Sequence, residues 1–304
     1  MRNIFRATRT APLLAAAAAA LAIGLVAATV TPATANEGGQ PEYYLALGDS
    51  LAQGVQPDAN TGASVPTDQG YADDLLAQYQ AQFNGSLQLV KLGCPGETST
   101  SMLTGADSPC TYPEGSQLAA ALSFIRAHRS RIALVTVDIG ANNVDGCATG
   151  GTISATCVNS GIAALQADLP NILGALRTAA GNGTVLAGMN LYDPFLADYL
   201  TGPAGQAVAQ ASANLDAYFN SLLAASFASY GMPVADVQTA FSTTDFADTA
   251  QLPGIGTVPL NVAQVCEWTW MCAPPPAGPN IHANSVGYQV IATAFEQVIR
   301  QLRS

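Results

Sequence analysis

Tyr43-Tyr44-Leu45-Ala46-Leu47-Gly48-Asp49-Ser50-Leu51 is an apolar run that stops at a polar turn. The run reads as a buried strand. Ser50 falls where that strand ends and where a helix is expected to open. In an α/β sheet, ligands bind at the carboxyl ends of parallel strands. A helix N-terminus there presents free backbone N–H groups to a developing anion. On its own the tetrapeptide Gly48-Asp49-Ser50-Leu51 is also an ordinary turn or cap signal, so the rest of the chain has to decide.

Further runs alternate with helical patterns along the chain. Strands are expected over residues 43–48, 87–92, 132–139, 185–189 and 233–237. Several are continuous runs of Val, Ile and Leu, as in strands covered on both faces. Helices are expected over 71–83, 117–127, 162–176, 207–230 and 285–302. In the third, Ile162, Leu165, Leu169, Ile172, Leu173 and Leu176 form one face, with Asn159 or Ser160 as its cap. This alternation predicts an α/β fold: a three-layer α/β/α sandwich around a mainly parallel, flavodoxin-like five-stranded sheet. Residues 55–69, 104–116 and 241–280 are expected as long loops, which in compact domains are usually functional or tied down.

Arg2, Arg6 and Arg9, the apolar stretch 11–30 and Ala33-Thr34-Ala35 have the order of a secretory signal peptide. Residues 1–35 are therefore expected to be removed and 36–304 to form one domain. No membrane anchor is expected after cleavage, and the protein should be secreted. The net charge is −11, more negative by three once those arginines leave. Such a surface argues against nucleic acid or anionic membranes as partners. A hydrophobic content of 49% with 10% charged residues is not a disordered composition.

The six cysteines fall into close pairs, and secretion favours disulfides: Cys94–Cys110, Cys147–Cys157 and Cys266–Cys272. The chain has no C-x-x-C and only two histidines, so neither zinc nor any other metal or cofactor is expected.

Acyl transfer needs a nucleophile, a base, a group that orients the base, and donors for an oxyanion. His128 ends a helix before a strand, on the sheet edge opposite Ser50, and reads as a helix C-cap. His282 follows a Pro/Gly-rich loop and precedes the last helix, where it can reach across to Ser50. Gly96 and Asn142 follow the second and third strands on the Ser50 edge. Each alone is a common turn residue; together they form a constellation.

These segments resemble the ordered blocks of the SGNH (GDSL) hydrolase family. Gly48-Asp49-Ser50-Leu51 resembles the first block, Gly93-Cys94-Pro95-Gly96-Glu97-Thr98 the second, Gly140-Ala141-Asn142-Asn143 the third and Pro279-Asn280-Ile281-His282 the fifth. The paired cysteines look most like those of the family's secreted actinobacterial-type esterases and lipases. The resemblance implies Ser50 as nucleophile, His282 as base, and an oxyanion hole of the Ser50 N–H, Gly96 N–H and Asn142 amide. Two positions depart from it. Asn143 stands where an Asp is usual, and Pro279 stands where the third triad member would be.

The orienter must accept a hydrogen bond from the imidazole Nδ1–H. The main-chain carbonyl of Pro279 is the expected acceptor, with Glu97, Asp145 and Glu267 as more distant alternatives. Trp268 and Trp270 either line an acyl pocket or cover the core. The expected protein is a monomeric serine esterase or lipase acting on a small-molecule or lipid ester, with activity rising through about pH 6–7 as His282 loses its proton. The alternatives are a polysaccharide or peptidoglycan O-deacetylase, or a non-catalytic binding protein of the same fold.

Overall fold

The computed structural model describes residues 41–149 and 151–303. The expected signal peptide lies outside them. Five parallel strands form the central sheet: β1 (Glu42–Gly48), β2 (Leu87–Lys91), β3 (Ile132–Asp138), β4 (Val185–Met189) and β5 (Val234–Ala235), in spatial order β2-β1-β3-β4-β5. This is the expected flavodoxin-like order. Tyr44, Leu45, Ala46 and Leu47 are fully buried, as are Val135 and Val137 on β3. A sheet covered on both faces demands such unbroken apolar strands.

The connecting helices are α1 (Tyr71–Tyr79), α2 (Ser99–Thr104), α3 (Gln117–Ala127), α4 (Ala155–Ala180), α5 (Pro203–Ser229), α6 (Leu260–Trp268) and α7 (Ser285–Arg303). α1 and α7 pack together on one side of the sheet, and α3, α4 and α5 on the other. No helix of the described residues is long and apolar enough to cross a membrane.

Three expectations change. α4 starts earlier than residue 162, because Ser154 accepts from the Cys157 N–H and caps it in place of Asn159 or Ser160. No helix opens at Ser50. Asp49 Oδ1 instead accepts the Leu51 N–H at 3.0 Å, and the Val55 N–H returns to the Ser50 carbonyl at 3.1 Å, closing a compact turn. The stretch 241–280 is not a structureless loop either. It contains an antiparallel hairpin (Thr249–Leu252 with Gly256–Pro259) and α6.

All three expected disulfides are present, at S–S distances of 2.04, 1.95 and 1.95 Å for Cys94–Cys110, Cys147–Cys157 and Cys266–Cys272. His128 caps α3, its Nδ1 2.9 Å from the Phe124 carbonyl, with its ring against Tyr43 and Phe124.

On β4, Gly188 lies beneath the ring of the fully buried Phe227 of α5. A Cβ at Gly188 would meet that ring at 2.3 Å. Overpacking of this kind usually costs about 1–3 kcal/mol. Gly188→Ala is therefore expected to lower the unfolding free energy by about that amount, read from the urea midpoint at unchanged slope.

Candidate active site

The carboxyl edge of the sheet carries the candidate residues. Gly48 ends β1 so close to β3 that a Cβ would lie 1.7 Å from the Asp138 carbonyl oxygen, and its φ is +134°. Only glycine fits there. The Asp49 N–H then donates to both the carbonyl (3.1 Å) and Oδ1 (3.0 Å) of Asp138. Gln117 exchanges two hydrogen bonds with the Gly48 main chain, at 2.7 and 2.8 Å. Tyr71 donates its phenol to Asp138 Oδ2. Ser50 follows directly on this braced segment.

Ser50, Gly96, Asn142 and His282 line one cavity of about 220 Å³. They come from the turn after β1, the loop after β2, the turn after β3 and the strand before α7. Among the described residues, no partner takes the N–H of Ser50 or of Gly96. Asn142 Nδ2 spends one hydrogen on the Glu97 carbonyl at 3.1 Å, which fixes the amide and leaves the second hydrogen for a ligand. The neighbouring Asn143 is structural: its Oδ1 accepts the Ser99 N–H at 3.0 Å, and its Nδ2 donates to Ser99 Oγ at 2.9 Å.

His282 departs from the sequence expectation. The acceptor at its Nδ1 is Asn280 Oδ1, at 2.7 Å, and not the Pro279 carbonyl. The reason is local. The Asn280 side chain folds forward as an Asx turn and also accepts the His282 backbone N–H at 3.1 Å. A backbone N–H can only donate, so the atom facing it must be the amide oxygen. The amide nitrogen meanwhile donates to Ser64 Oγ at 3.0 Å. That assignment places the imidazole proton on Nδ1 and leaves Nε2 as a lone pair.

Two further contacts steady this segment. Tyr192 donates its phenol to the Ile281 carbonyl at 2.8 Å, and Trp270 pairs with Asn280 across a short ladder. Trp268 packs edge-on against Phe241, and Trp270 Nε1 donates to Gln56 Oε1 at 3.3 Å. Neither tryptophan lines the cavity.

The alternative orienting carboxylates separate clearly. Glu97 is fully buried outside the cavity, where its Oε2 accepts from Ser108 Oγ (3.1 Å) and Gln117 Nε2 (3.3 Å). Glu267 is exposed. Asp145 does line the cavity, together with Asp193 and Asp216, which the sequence reading passed over. Both had a signal. Asp193 follows the fourth strand on the same edge as Ser50, and Asp216 is the one charged residue in the 27-residue helix α5. Asn280 had one too, two positions before His282.

The pattern of the GDSL-like lipase/acylhydrolase family matches residues 46–290. The chain belongs to this family. Two solved structures share its fold: phospholipase A1 from Streptomyces albidoflavus NA297, at 19% identity with TM-score 0.53, and an extracellular lipase from Streptomyces rimosus, at 18% with TM-score 0.51. Each alignment covers 84% of this chain and 99% of the other. No curated protein matches the chain by sequence.

Electrostatics at the site are set by burial. Burial pushes His282 down to about 4, so the imidazole is neutral at pH 7. Burial pushes Asp145 up to about 8, with Asp49 and Asp193 adding repulsion. It also lifts Asp193 to about 6, against the Ser212 hydroxyl and the Phe195 N–H, which both favour its charge. Asp216 is raised for the same first reason.

Two consequences can be measured. If His282 is the base, kcat/KM rises with pH through about 4 and not through 6–7. Stability moves the other way. At pH 6.5 the unfolded His282 still holds half a proton, which it loses as pH rises, while the folded imidazole is already neutral. Unfolded carboxyls have lost their protons near 3.8, and the whole proton kept by folded Asp145 outweighs that half. The folded chain still holds protons there, on Asp145 up to about 8. The native state therefore binds more protons, and stability falls as pH rises from 6.5 to 8. Thermal scans across that window should show a falling Tm in the wild type and a flatter line for Asp145→Asn.

Proposed function

We propose that the protein is a secreted serine ester hydrolase that works through an acyl-enzyme. The observation that carries this is the arrival of Ser50, Gly96, Asn142 and His282, from four separate segments, at one cavity. Ser50 and His282 line that cavity, and among the described residues no hydrogen bond joins their side chains. An incoming ester brings Ser50 Oγ toward Nε2, as catalytic contacts commonly tighten on substrate binding.

His282 Nε2 takes the hydroxyl proton as Oγ attacks the acyl carbon. The tetrahedral oxyanion is held by the N–H groups of Ser50 and Gly96 and the free amide hydrogen of Asn142. Collapse expels the alcohol, which leaves with the proton from His282. Water then attacks the acyl-enzyme by the same route in reverse.

Asn280 orients the base. It selects the productive tautomer as an aspartate would, without supplying the negative charge that stabilises the imidazolium. Lipid esters are a fitting class, since the neighbours of this fold include a phospholipase A1 and a lipase, and much of the cavity wall is apolar. Secretion is supported by the three disulfides, and the domain is proposed to act as a monomer.

A fluorophosphonate probe is expected to label the wild type at Ser50, to leave Ser50→Ala unlabelled and to react much more slowly with His282→Ala. A folded wild type that does not label would favour the non-catalytic binding protein. Removing one oxyanion donor costs about 10²–10³ in kcat, so Asn142→Ala should fall in that range on p-nitrophenyl esters. Asn280→Ala should lower kcat with little change in KM. Asn280→Asp should keep activity and move its acid limb upward, because the new charge favours the imidazolium.

A further inference from the structure

Ser64, 216 residues from Asn280 in sequence, bonds to the group that faces His282 Nδ1. It lies in a short antiparallel hairpin, Gln56–Pro57 paired with Ser64–Val65, that leaves the turn carrying Ser50. That turn closes through the Val55 N–H on the Ser50 carbonyl, and the Val55 carbonyl takes the phenol of Tyr288 from α7 at 2.9 Å. At the far end Ser64 Oγ accepts from Asn280 Nδ2 at 3.0 Å. One short segment therefore runs from the nucleophile's turn to the side chain that bonds the base.

The hairpin is held in this position by bonds of its own. Asp58 Oδ1 accepts the N–H groups of Asn60 (3.1 Å) and Thr61 (2.8 Å), and the Asp58 main chain bonds Gly62 and Ala63, both at 2.8 Å. Two contacts then fasten the closed loop to the Asn280 segment. Gly62 lies so near the loop before His282 that a Cβ would stand 2.0 Å from the Pro276 carbonyl oxygen. Buried Gln56 receives the Trp270 indole N–H, and Trp270 pairs with Asn280. Ser64 is exposed, yet its backbone is thus fixed against Asn280.

We propose that Ser64 is a positioning residue of the reaction: by holding the Asn280 amide it keeps the His282 ring in place with its proton on Nδ1. The proposal rests on the esterase reading, in which Asn280 orients the base. A carboxylate in that place would present two equivalent oxygens. An amide presents one, and turned over it would set its NH2 against the Nδ1–H, donor against donor. The imidazole would then favour its proton on Nε2, and that tautomer cannot accept the Ser50 proton there. The His282 backbone N–H selects which end of the amide faces the ring, and Ser64 fixes the amide plane.

Ser64→Ala should lower kcat on p-nitrophenyl esters by about three- to tenfold, the scale of one neutral hydrogen bond, at unchanged KM. The urea midpoint should stay put, since the side chain is exposed. Ser64→Thr, which keeps the hydroxyl, should restore kcat. In the Asn280→Ala background, Ser64→Ala should cause no further loss, because the partner through which it acts is gone. A second readout needs no catalysis. Nitrogen-15 spectra of histidine-labelled protein at neutral pH report which imidazole nitrogen holds the proton, with the His282 signals assigned by their loss in His282→Ala. The wild type should show the Nδ1–H form and Ser64→Ala a mixture of both tautomers.

A wild-type kcat in Ser64→Ala, or an equal loss in both backgrounds, would overturn the proposal and leave the esterase reading standing. If the wild type hydrolyses no ester, that reading fails separately and the spectra decide. A tautomer mixture in Ser64→Ala then supports the positioning role; an unchanged Nδ1–H form overturns it.

Discussion

Everything at the active edge hangs on the contact between the end of β1 and the end of β3. Gly48 lets the two backbones meet, and the carboxylate of Asp138 then gathers the Asp49 N–H and the Tyr71 phenol. Gln117 bonds the Gly48 peptide from α3. A buried polar network of this sort is stiff, because each bonded group would be costly to leave unpaired. It holds Ser50 on a rigid element, which is what a nucleophile in a preorganised site requires.

The strands were the most legible part of the sequence. Their apolar runs are continuous because both faces are buried, and no other element produces that pattern between helical periods. The chain order of the catalytic candidates then followed from strand ends. What stayed hidden was decided by side-chain hydrogen bonds across one or two residues. Asn280 folding onto His282, Ser154 capping α4 and Asp49 closing the turn at Ser50 are each one of several local options open to Asn, Ser and Asp. Pattern alone cannot choose among them. The hairpin and α6 within 241–280 were missed for another reason: these elements are short and partly exposed, so they lack a long period to detect.

The site divides its ionisable groups by environment. His282 is kept neutral by burial, the state a general base needs. The aspartates of the cavity are pushed toward neutrality by the same burial and by each other. Neither effect needs a charged partner from the protein, and the chain, with only ten Lys and Arg residues, supplies few. Asn280 fits that economy. As the proposed orienter of His282, an uncharged amide adds no further carboxylate to the four that line the cavity, Asp49, Asp145, Asp193 and Asp216.

The disulfides give the site a dependence on where the chain resides. Cys94 lies two residues before Gly96, and Cys147 two after Asp145; Cys272 ends the α6 bridge just past Trp270, whose strand pairs with the one carrying Asn280. Each bridge thus anchors a segment next to Gly96, Asp145 or the Asn280–His282 pair. In a reducing cytosol those thiols stay apart and the anchors are absent. The geometry of this edge is thereby tied to an oxidising compartment, where the three bridges persist.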